Sequence, residues 1–407
     1  MLNVGLRMPE IQNSKIKNSQ LDHQRFMRRA LQLARNGTAL ASPNPQVGAL
    51  LVNAAGEIVA EGWHTYDGVK HAEVIAIENA GERARGKTLY LNLEPCSHAG
   101  RTPPCVDAVI RAGIARVYVA MKDPNPLVSG RGLDRLRAAG IEVHCGLLEE
   151  EARKLNEAFA KYIVQKTPLV TLKAGMTLDG KIAPAYTPSG SDVMLGEEAA
   201  GWITSAEARE HVQEMRHAAD AILIGVNTVI ADNPMLTDRT GLPRRRPLLR
   251  VVSDSKLRLP LESRLVKTAK EDLIVFCSFA EENKRRQLEE RGIRVEQVRH
   301  GTMDGRPDIA SVIERLGEME IASLIIEGGA LVNWTALAAD VVDKVFLFYA
   351  PKILAGTGSV PFASGPGFPR ISEAARVRSI TLHRFGEDFA VEGYIKDPYE
   401  KTPCSQA

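Results

Sequence analysis

The chain has 407 residues, too many for one ordinary domain, and its 52 Lys plus Arg against 50 Asp plus Glu leave no basic excess for a nucleic-acid partner. Aromatics are only 5 % and do not interleave with Arg or Lys as a base-stacking platform would, and no apolar run reaches the roughly eighteen residues of a membrane span. Five scattered cysteines, an odd number, argue against a disulfide framework and for a reducing, cytoplasmic setting.

Residues 1–20 are polar and mixed, lack the apolar core of a signal peptide, and are expected to be a disordered extension. Apolar strand-like segments at 47–52, 89–93, 117–121 and 141–145 then alternate with helical ones. A helix is expected to open at His71, with Val74, Ile75 and Ile77 apolar. Cys105 follows Pro103-Pro104 and so falls in the first turn of another helix, where the dipole favours the thiolate. A charged amphipathic helix over 148–163 ends at Gln165-Lys166-Thr167-Pro168.

That break divides the chain into α/β domains at 21–166 and 167–400, with a tail at 401–407. The second series predicts strands at 169–174, 221–226, 248–253, 273–277, 323–327, 345–350 and near 389–395. Its helices fall at 206–218, 282–291, 308–316 and 332–338, the first announced by a capping box, Thr204-x-x-Glu207. There is no internal repeat.

The chemistry is concentrated between residues 71 and 105. His71, Cys96 and Cys105 offer one imidazole and two thiols, three ligands for Zn²⁺ with the fourth tetrahedral position left to water. The metal lowers the pKa of that water enough to give hydroxide at neutral pH. Glu73, two residues after the imidazole, is too close to be a spare ligand and is placed to carry a proton from water to a leaving amine. A closed structural zinc site would need a fourth protein ligand, for which His98 is the only obvious local candidate, and would have no use for Glu73. The eight residues between the cysteines carry His98 and Arg101, groups suited to a polar or phosphorylated substrate. In the second half no G-x-G-x-x-G follows the first strand, but Glu327-Gly328-Gly329 closes an apolar strand and leads into a helix, a turn that can meet a phosphate.

Several motifs together resemble the bifunctional riboflavin-biosynthesis deaminase/reductases, over nearly the whole chain from Leu21. They are Pro43-Asn44-Pro45-x-Val47-Gly48, His71-Ala72-Glu73, Glu94-Pro95-Cys96-Ser97-His98-x-Gly100-Arg101-Thr102-Pro103-Pro104-Cys105 and Asp123-Pro124-Asn125-Pro126. Lys173-x-x-x-x-Leu178-Asp179-Gly180-Lys181, Trp202-Ile203-Thr204-Ser205, the run from Gly225 through Thr228 and Asp232 to Thr237, and the Glu327 turn extend the resemblance into the second half. It implies a cytidine-deaminase-like zinc domain followed by a dihydrofolate-reductase-like α/β domain. The first would deaminate a phosphoribosylamino-pyrimidine hydrolytically; the second would reduce the ribosyl chain to ribityl with NADPH.

The resemblance also implies the site residues. Asn44, His64, His98, Arg101, Asp123 and Asn125 would line the deaminase pocket. Ala174, Trp202, Thr228, Asp232, Ser255, Gly329, Ala330, Leu331, Val332, Asn333, Trp334 and Thr335 would contact the cofactor, and Ala200, Arg216, Leu236, Arg239 and Glu327 the second substrate. Ser255, Lys256 and Arg258 are expected to meet the 2′-phosphate of NADPH. Two departures weaken the substrate side: the stretch 185–200 is longer than usual, and Ala200 stands where the family commonly has serine. Glu327 and Asp232 are the candidates for handling a proton in the reduction.

Two other classes compete. A nucleic-acid-editing deaminase would share His-x-Glu and Pro-Cys but should show a basic patch in its second half, and none is visible. A non-catalytic zinc-stabilised module would tolerate loss of Glu73. The expected partners are small phosphorylated pyrimidines, with no nucleic acid and no membrane. The oligomeric state stays open, a homo-oligomer among the options.

Overall fold

The structure, a computed structural model, describes residues 10–98, 103–126, 128–185, 201–301 and 305–400, with residues 10–21 as backbone only. It divides into two compact units, 1–157 and 158–407.

In the first unit the order is α1 (Glu10–Arg35), β1 (Gly48–Val52), β2 (Ile58–Trp63), α2 (Ala72–Ala80), β3 (Thr88–Leu93), α3 (Cys105–Arg111), β4 (Arg116–Met121), α4 (Arg131–Ala138), β5 (Glu142–Cys145) and α5 (Glu149–Leu155). The five strands form one sheet in the order β2-β1-β3-β4-β5, antiparallel at β2-β1 and β1-β3, parallel from β3 to β5. The apolar stripe Phe26, Met27, Ala30, Leu31, Ala34 of α1 is buried. This helix seats directly on β1, because a side chain on Gly48 would collide with the Ala30 carbonyl and the Ala34 amide. The segment expected to be a disordered extension therefore belongs in part to a helix, which begins at Glu10.

The second unit opens with α6 (Glu157–Gln165), then β6 (Leu169–Thr177), β7 (Lys181–Ala183), α7 (Ala206–Ala218), β8 (Ala221–Gly225), α8 (Val226–Asp232), β9 (Leu249–Ser253), α9 (Arg264–Lys267) and β10 (Leu273–Cys277). It continues with α10 (Glu282–Glu289), β11 (Arg294–Gln297), α11 (Ile309–Glu318), β12 (Ser323–Ile326), α12 (Ala330–Ala338), β13 (Lys344–Ala350), β14 (Val360–Pro361), β15 (Arg378–Phe385) and β16 (Asp388–Tyr394). Nine strands make one sheet, β11-β10-β9-β8-β12-β6-β13-β16-β15, parallel as far as β13 and antiparallel beyond it. β7 and β14 pair separately. β8 and β10 are buried throughout, which is why both read as unbroken apolar runs rather than alternating ones. Among the described residues no helix is long and apolar enough to cross a membrane.

Two sequence expectations about helices need correction. The helix read over 148–163 is two helices broken at Asn156, whose amide turns to the backbone of Gln46, accepting from its N–H at 2.8 Å and donating to its carbonyl at 3.1 Å. Compactness divides the units at 157/158, so α6 packs with the second, where Lys161 Nζ lies 2.7 Å from Asp343 Oδ1 and the Lys166 carbonyl abuts Gly317. The cap of α7 is Ser205, not Thr204; its Oγ accepts from the Ala208 amide at 3.2 Å.

Candidate functional site

In the first unit, chain turns at strand and helix ends converge three metal-binding side chains. His71 is the N-cap of α2, Cys96 lies three residues past the end of β3, and Cys105 opens α3 behind Pro104. Cys105 Sγ is 2.8 Å from His71 Nδ1 and 3.3 Å from Cys96 Sγ, and Cys96 Sγ is 3.7 Å from the same nitrogen. One ligand atom from each lies within 4.8 Å of the others, and among the described residues these three form the metal-binding group. Two thiols and one imidazole fit Zn²⁺, whose bonds to sulfur and nitrogen are roughly 2.0–2.3 Å. The Cys105 thiol, the Cys105 amide and His71 all donate toward Cys96 and stabilise its thiolate.

Glu73 occupies the first turn of α2 and is buried. Burial pushes its carboxyl above the ordinary range, with the neighbouring His71 opposing. A carboxyl whose affinity for protons is raised toward neutrality suits a proton carrier better than a permanent anion. His98 is exposed and outside the metal group, so it supplies no fourth ligand.

The remaining deaminase positions are brought together unevenly. His64 is buried at the end of β2, its ring edge-on to His71 with centroids 5.3 Å apart. Its Nδ1 meets the Lys70 carbonyl at 2.9 Å and its Nε2 meets Asn44 Nδ2 at 3.0 Å. A carbonyl can only accept, so Nδ1 carries the proton and Nε2 accepts from Asn44. Asp123 is buried and accepts from the Asn125 amide at 2.8 Å; burial pushes its carboxyl up to about 7. Arg101 lies outside the described residues.

The second unit holds a cavity of about 850 Å³ at the carboxyl ends of β8 and β12 and along the middle of β6, close to the position where open parallel sheets bind ligands. Two helix N-termini flank it. Gly225 leads from β8 into α8 and Gly329 from β12 into α12, and residues of both turns line the wall. Gly225 and the neighbouring Gly328 are sterically required, since a side chain on either would strike Val332.

Ala174, Trp202, Thr228, Asp232, Ser255, Gly329, Ala330, Leu331, Val332 and Thr335 line the cavity, as does Glu327. Asn333 and Trp334 are not in the lining. Asn333 is fully buried and donates to the Phe362 carbonyl at 2.7 Å, and Trp334 packs against Gly365 and Phe368. Nor do Leu236 and Arg239 reach the wall: Leu236 is buried and Arg239 exposed, with its amide 3.1 Å from Gln213 Oε1. Arg216 acts through Glu327, donating from Nε and Nη2 to both carboxylate oxygens at 2.9 Å. Ala200 lies outside the described residues. Ser255 and Arg258 line the cavity, Lys256 does not, and Arg306 does.

Sequence reasoning left Lys173 out of the site. It sits mid-strand in β6, largely but not fully buried, and lines the cavity, with Nζ 3.3 Å from Glu327 Oε2. Burial depresses its ammonium, against the attraction of Glu327. Burial alone would raise the Glu327 carboxyl, but Arg216 and then Lys173 hold it down at about 2. The signal was a lysine amid apolar residues on a buried strand, where an unpaired ammonium is rarely tolerated.

Comparisons with known proteins follow the two units. Residues 20–121 match the cytidine and deoxycytidylate deaminase zinc-binding region, and residues 168–391 match the RibD C-terminal domain. The riboflavin biosynthesis protein RibD of Actinobacillus pleuropneumoniae is 42 % identical, over 92 % of this chain and 95 % of its own. Its namesake from Escherichia coli is 38 % identical over 89 % and 96 %. The solved RibD of Acinetobacter baumannii superposes with a TM-score of 0.76 at 31 % identity, covering 92 % of this chain and 99 % of that one. A Thermotoga maritima structure, described as a diaminohydroxyphosphoribosylaminopyrimidine deaminase/5-amino-6-(5-phosphoribosylamino)uracil reductase, gives 0.75 at 36 % with the same coverage.

Proposed function

From the chain's membership of the RibD family of bifunctional riboflavin-biosynthesis deaminase/reductases, we propose the substrates, cofactor and residue roles of its two steps. The first unit removes the 2-amino group of 2,5-diamino-6-(5-phosphoribosylamino)pyrimidin-4-one as ammonia. The second reduces the ribosyl chain of the product to a ribityl chain, with NADPH. The observation that carries the deaminase assignment is the meeting of His71, Cys96 and Cys105 beside the buried Glu73. The four described cysteines are unpaired, in keeping with a reducing, cytoplasmic setting.

His71, Cys96 and Cys105 would hold zinc, which would supply the Lewis acidity for generating hydroxide from water at neutral pH. Glu73 is placed to move a proton between the attacking water and the departing amine through its carboxyl oxygens. Asn44, its amide N–H committed to His64, keeps Oδ1 free to accept from an amino group of the pyrimidine. Asp123, Asn125 and His98 add polar groups for the substrate, a role the family resemblance also implies for Arg101.

The turns at Gly225 and Gly329, which line the cavity, would hold the phosphates of NADPH, and the cofactor would supply the hydride. Arg216 fixes both oxygens of Glu327, and Glu327 in turn holds Lys173 Nζ against the substrate end of the cavity. Lys173, its ammonium loosened by burial, is a better group to deliver a proton than Glu327, which stays ionised. Purified protein should release ammonia from the diamino substrate and then oxidise NADPH, and removal of zinc should stop ammonia release while NADPH oxidation persists when the deaminated pyrimidine is supplied.

Cofactor choice gives a separate test. Arg258 lines the cavity and its Nη2 lies 2.8 Å from Asn227 Oδ1, which aims the guanidinium along the wall. A hydrogen bond to a charged phosphate contributes roughly 1.5–3 kcal/mol. Arg258→Ala should therefore raise KM for NADPH about tenfold or more and leave NADH turnover nearly unchanged, in steady-state kinetics. Equal loss with both cofactors would assign Arg258 to the fold alone.

A further inference from the structure

We infer that Glu94 is a positioning residue for deamination, acting with α4 as a clamp on the segment that carries the metal ligands. The inference rests on the deaminase reading of the first unit. Glu94 follows β3, two residues before Cys96, and its side chain is 2 % exposed. A carboxylate is seldom buried so far without dedicated donors.

Its donors are backbone amides from two separate turns. Oε2 accepts from Asp123 N at 3.1 Å and Gly130 N at 2.8 Å, and Oε1 from Gly132 N at 2.9 Å and Leu133 N at 3.4 Å. Three of these amides belong to the N-terminal end of α4, where N–H groups lack partners within the helix and an anion is favoured. The fourth opens the turn that carries Asp123 and Asn125.

Two further contacts tie α4 to the ligands. A side chain on Gly132 would collide with the Pro95 carbonyl, so the helix lies directly against the chain entering Cys96. One turn on, Arg135 donates from Nη1 to the Ser97 carbonyl at 3.2 Å and from Nη2 to Asp107 of α3, the helix that Cys105 opens. The residues on both sides of Cys96, and the helix bearing Cys105, are thus fastened to one helix. Glu94 links that helix to the turn of Asp123.

A carboxylate is needed because it accepts with both oxygens. Glu94→Gln would turn an NH₂ group toward two of the four amides. In the full-length protein this variant should lose zinc to a chelator roughly 10–100-fold faster, the range for groups that orient metal ligands. With cobalt in place of zinc, its thiolate and ligand-field bands should shift, and deaminase kcat should fall with a smaller change in KM. Reductase rates on the deaminated substrate should stay at the wild-type level. Arg135→Ala, at a half-exposed position, should move the same metal readouts in the same direction by less, and decides the matter if Glu94→Gln does not accumulate folded. Wild-type chelator kinetics and cobalt spectra in the folded variants would overturn the clamp. Failure of the wild-type zinc protein to release ammonia would instead overturn the deaminase reading, while the metal readouts still judge Glu94.

Discussion

Glu73→Gln should lower deaminase turnover by roughly 10²–10⁴-fold, the contribution of a positioned general acid/base, while zinc content stays at one per chain. The amide keeps the volume of the side chain and the three metal ligands, and removes only its ability to take up and return a proton. Burial lifts the Glu73 carboxyl above its ordinary range, and His71 opposes it. Ammonia release measured against metal content separates this outcome from simple loss of the site. Cys105→Ala, by contrast, should lose metal and deamination together. NADPH oxidation by Glu73→Gln, assayed with the deaminated pyrimidine, should be unaffected, because each compact unit has its own sheet and core. Full deaminase activity in this variant would remove the proposed proton carrier from the mechanism.

Glu327→Ala should have the largest effect in the second unit. It strips the counter-charge from Arg216 and Lys173, both nearly buried at 12 % and 15 % side-chain exposure. Removing one member of a buried ion pair costs roughly 3–5 kcal/mol, and deprotonation of Lys173 relieves part of it. Reductase activity should disappear, and unfolding of this unit should shift to lower denaturant while ammonia release persists. The pH dependence has a defined sign. The folded Glu327 carboxyl titrates near 2, below its unfolded value of 4.5. Its stabilisation is therefore complete above about pH 4.5 and is lost as pH falls toward 2. The variant should lack that component of acid destabilisation in denaturation curves measured through this window. An unchanged curve would assign the acid sensitivity to other carboxylates.

How much of this could be read beforehand depended on how local each signal was. The metal group was legible because His71, Glu73, Cys96 and Cys105 fall within 35 residues, each beside its own turn or helix start. The cationic centre of the second unit was only half legible. Lys173, Arg216 and Glu327 come from β6, α7 and the end of β12, far apart in sequence, and only the sheet order places them together. The parallel strands β8, β9 and β10 were found from their apolar runs. β15 was missed because nearly all of it is exposed, so it carries no alternation of buried and solvated positions. α4 was missed for a related reason: Gly132, Leu133 and Leu136 are its only buried residues, and one glycine, Gly130, caps it while another, Gly132, interrupts it. The break at Asn156 had no local signature, because the partner that draws its side chain away is Gln46.

The placement of β12 between β8 and β6 bears on the order of events during synthesis. β6 spans residues 169–177, yet its two neighbours in the sheet, β12 and β13, lie at 323–326 and 344–350. Such distant pairing makes for slow closure, because the loop entropy must be overcome before the strands hold one another. The first sheet, by contrast, is complete once β5 ends at Cys145. At ribosomal rates of roughly 5–20 residues per second, β13 follows β5 by about 10–40 s. The nascent deaminase unit can thus acquire its metal while the apolar face of β6 still waits for its partners, and in that interval the second half is the part of the chain that calls for chaperone protection.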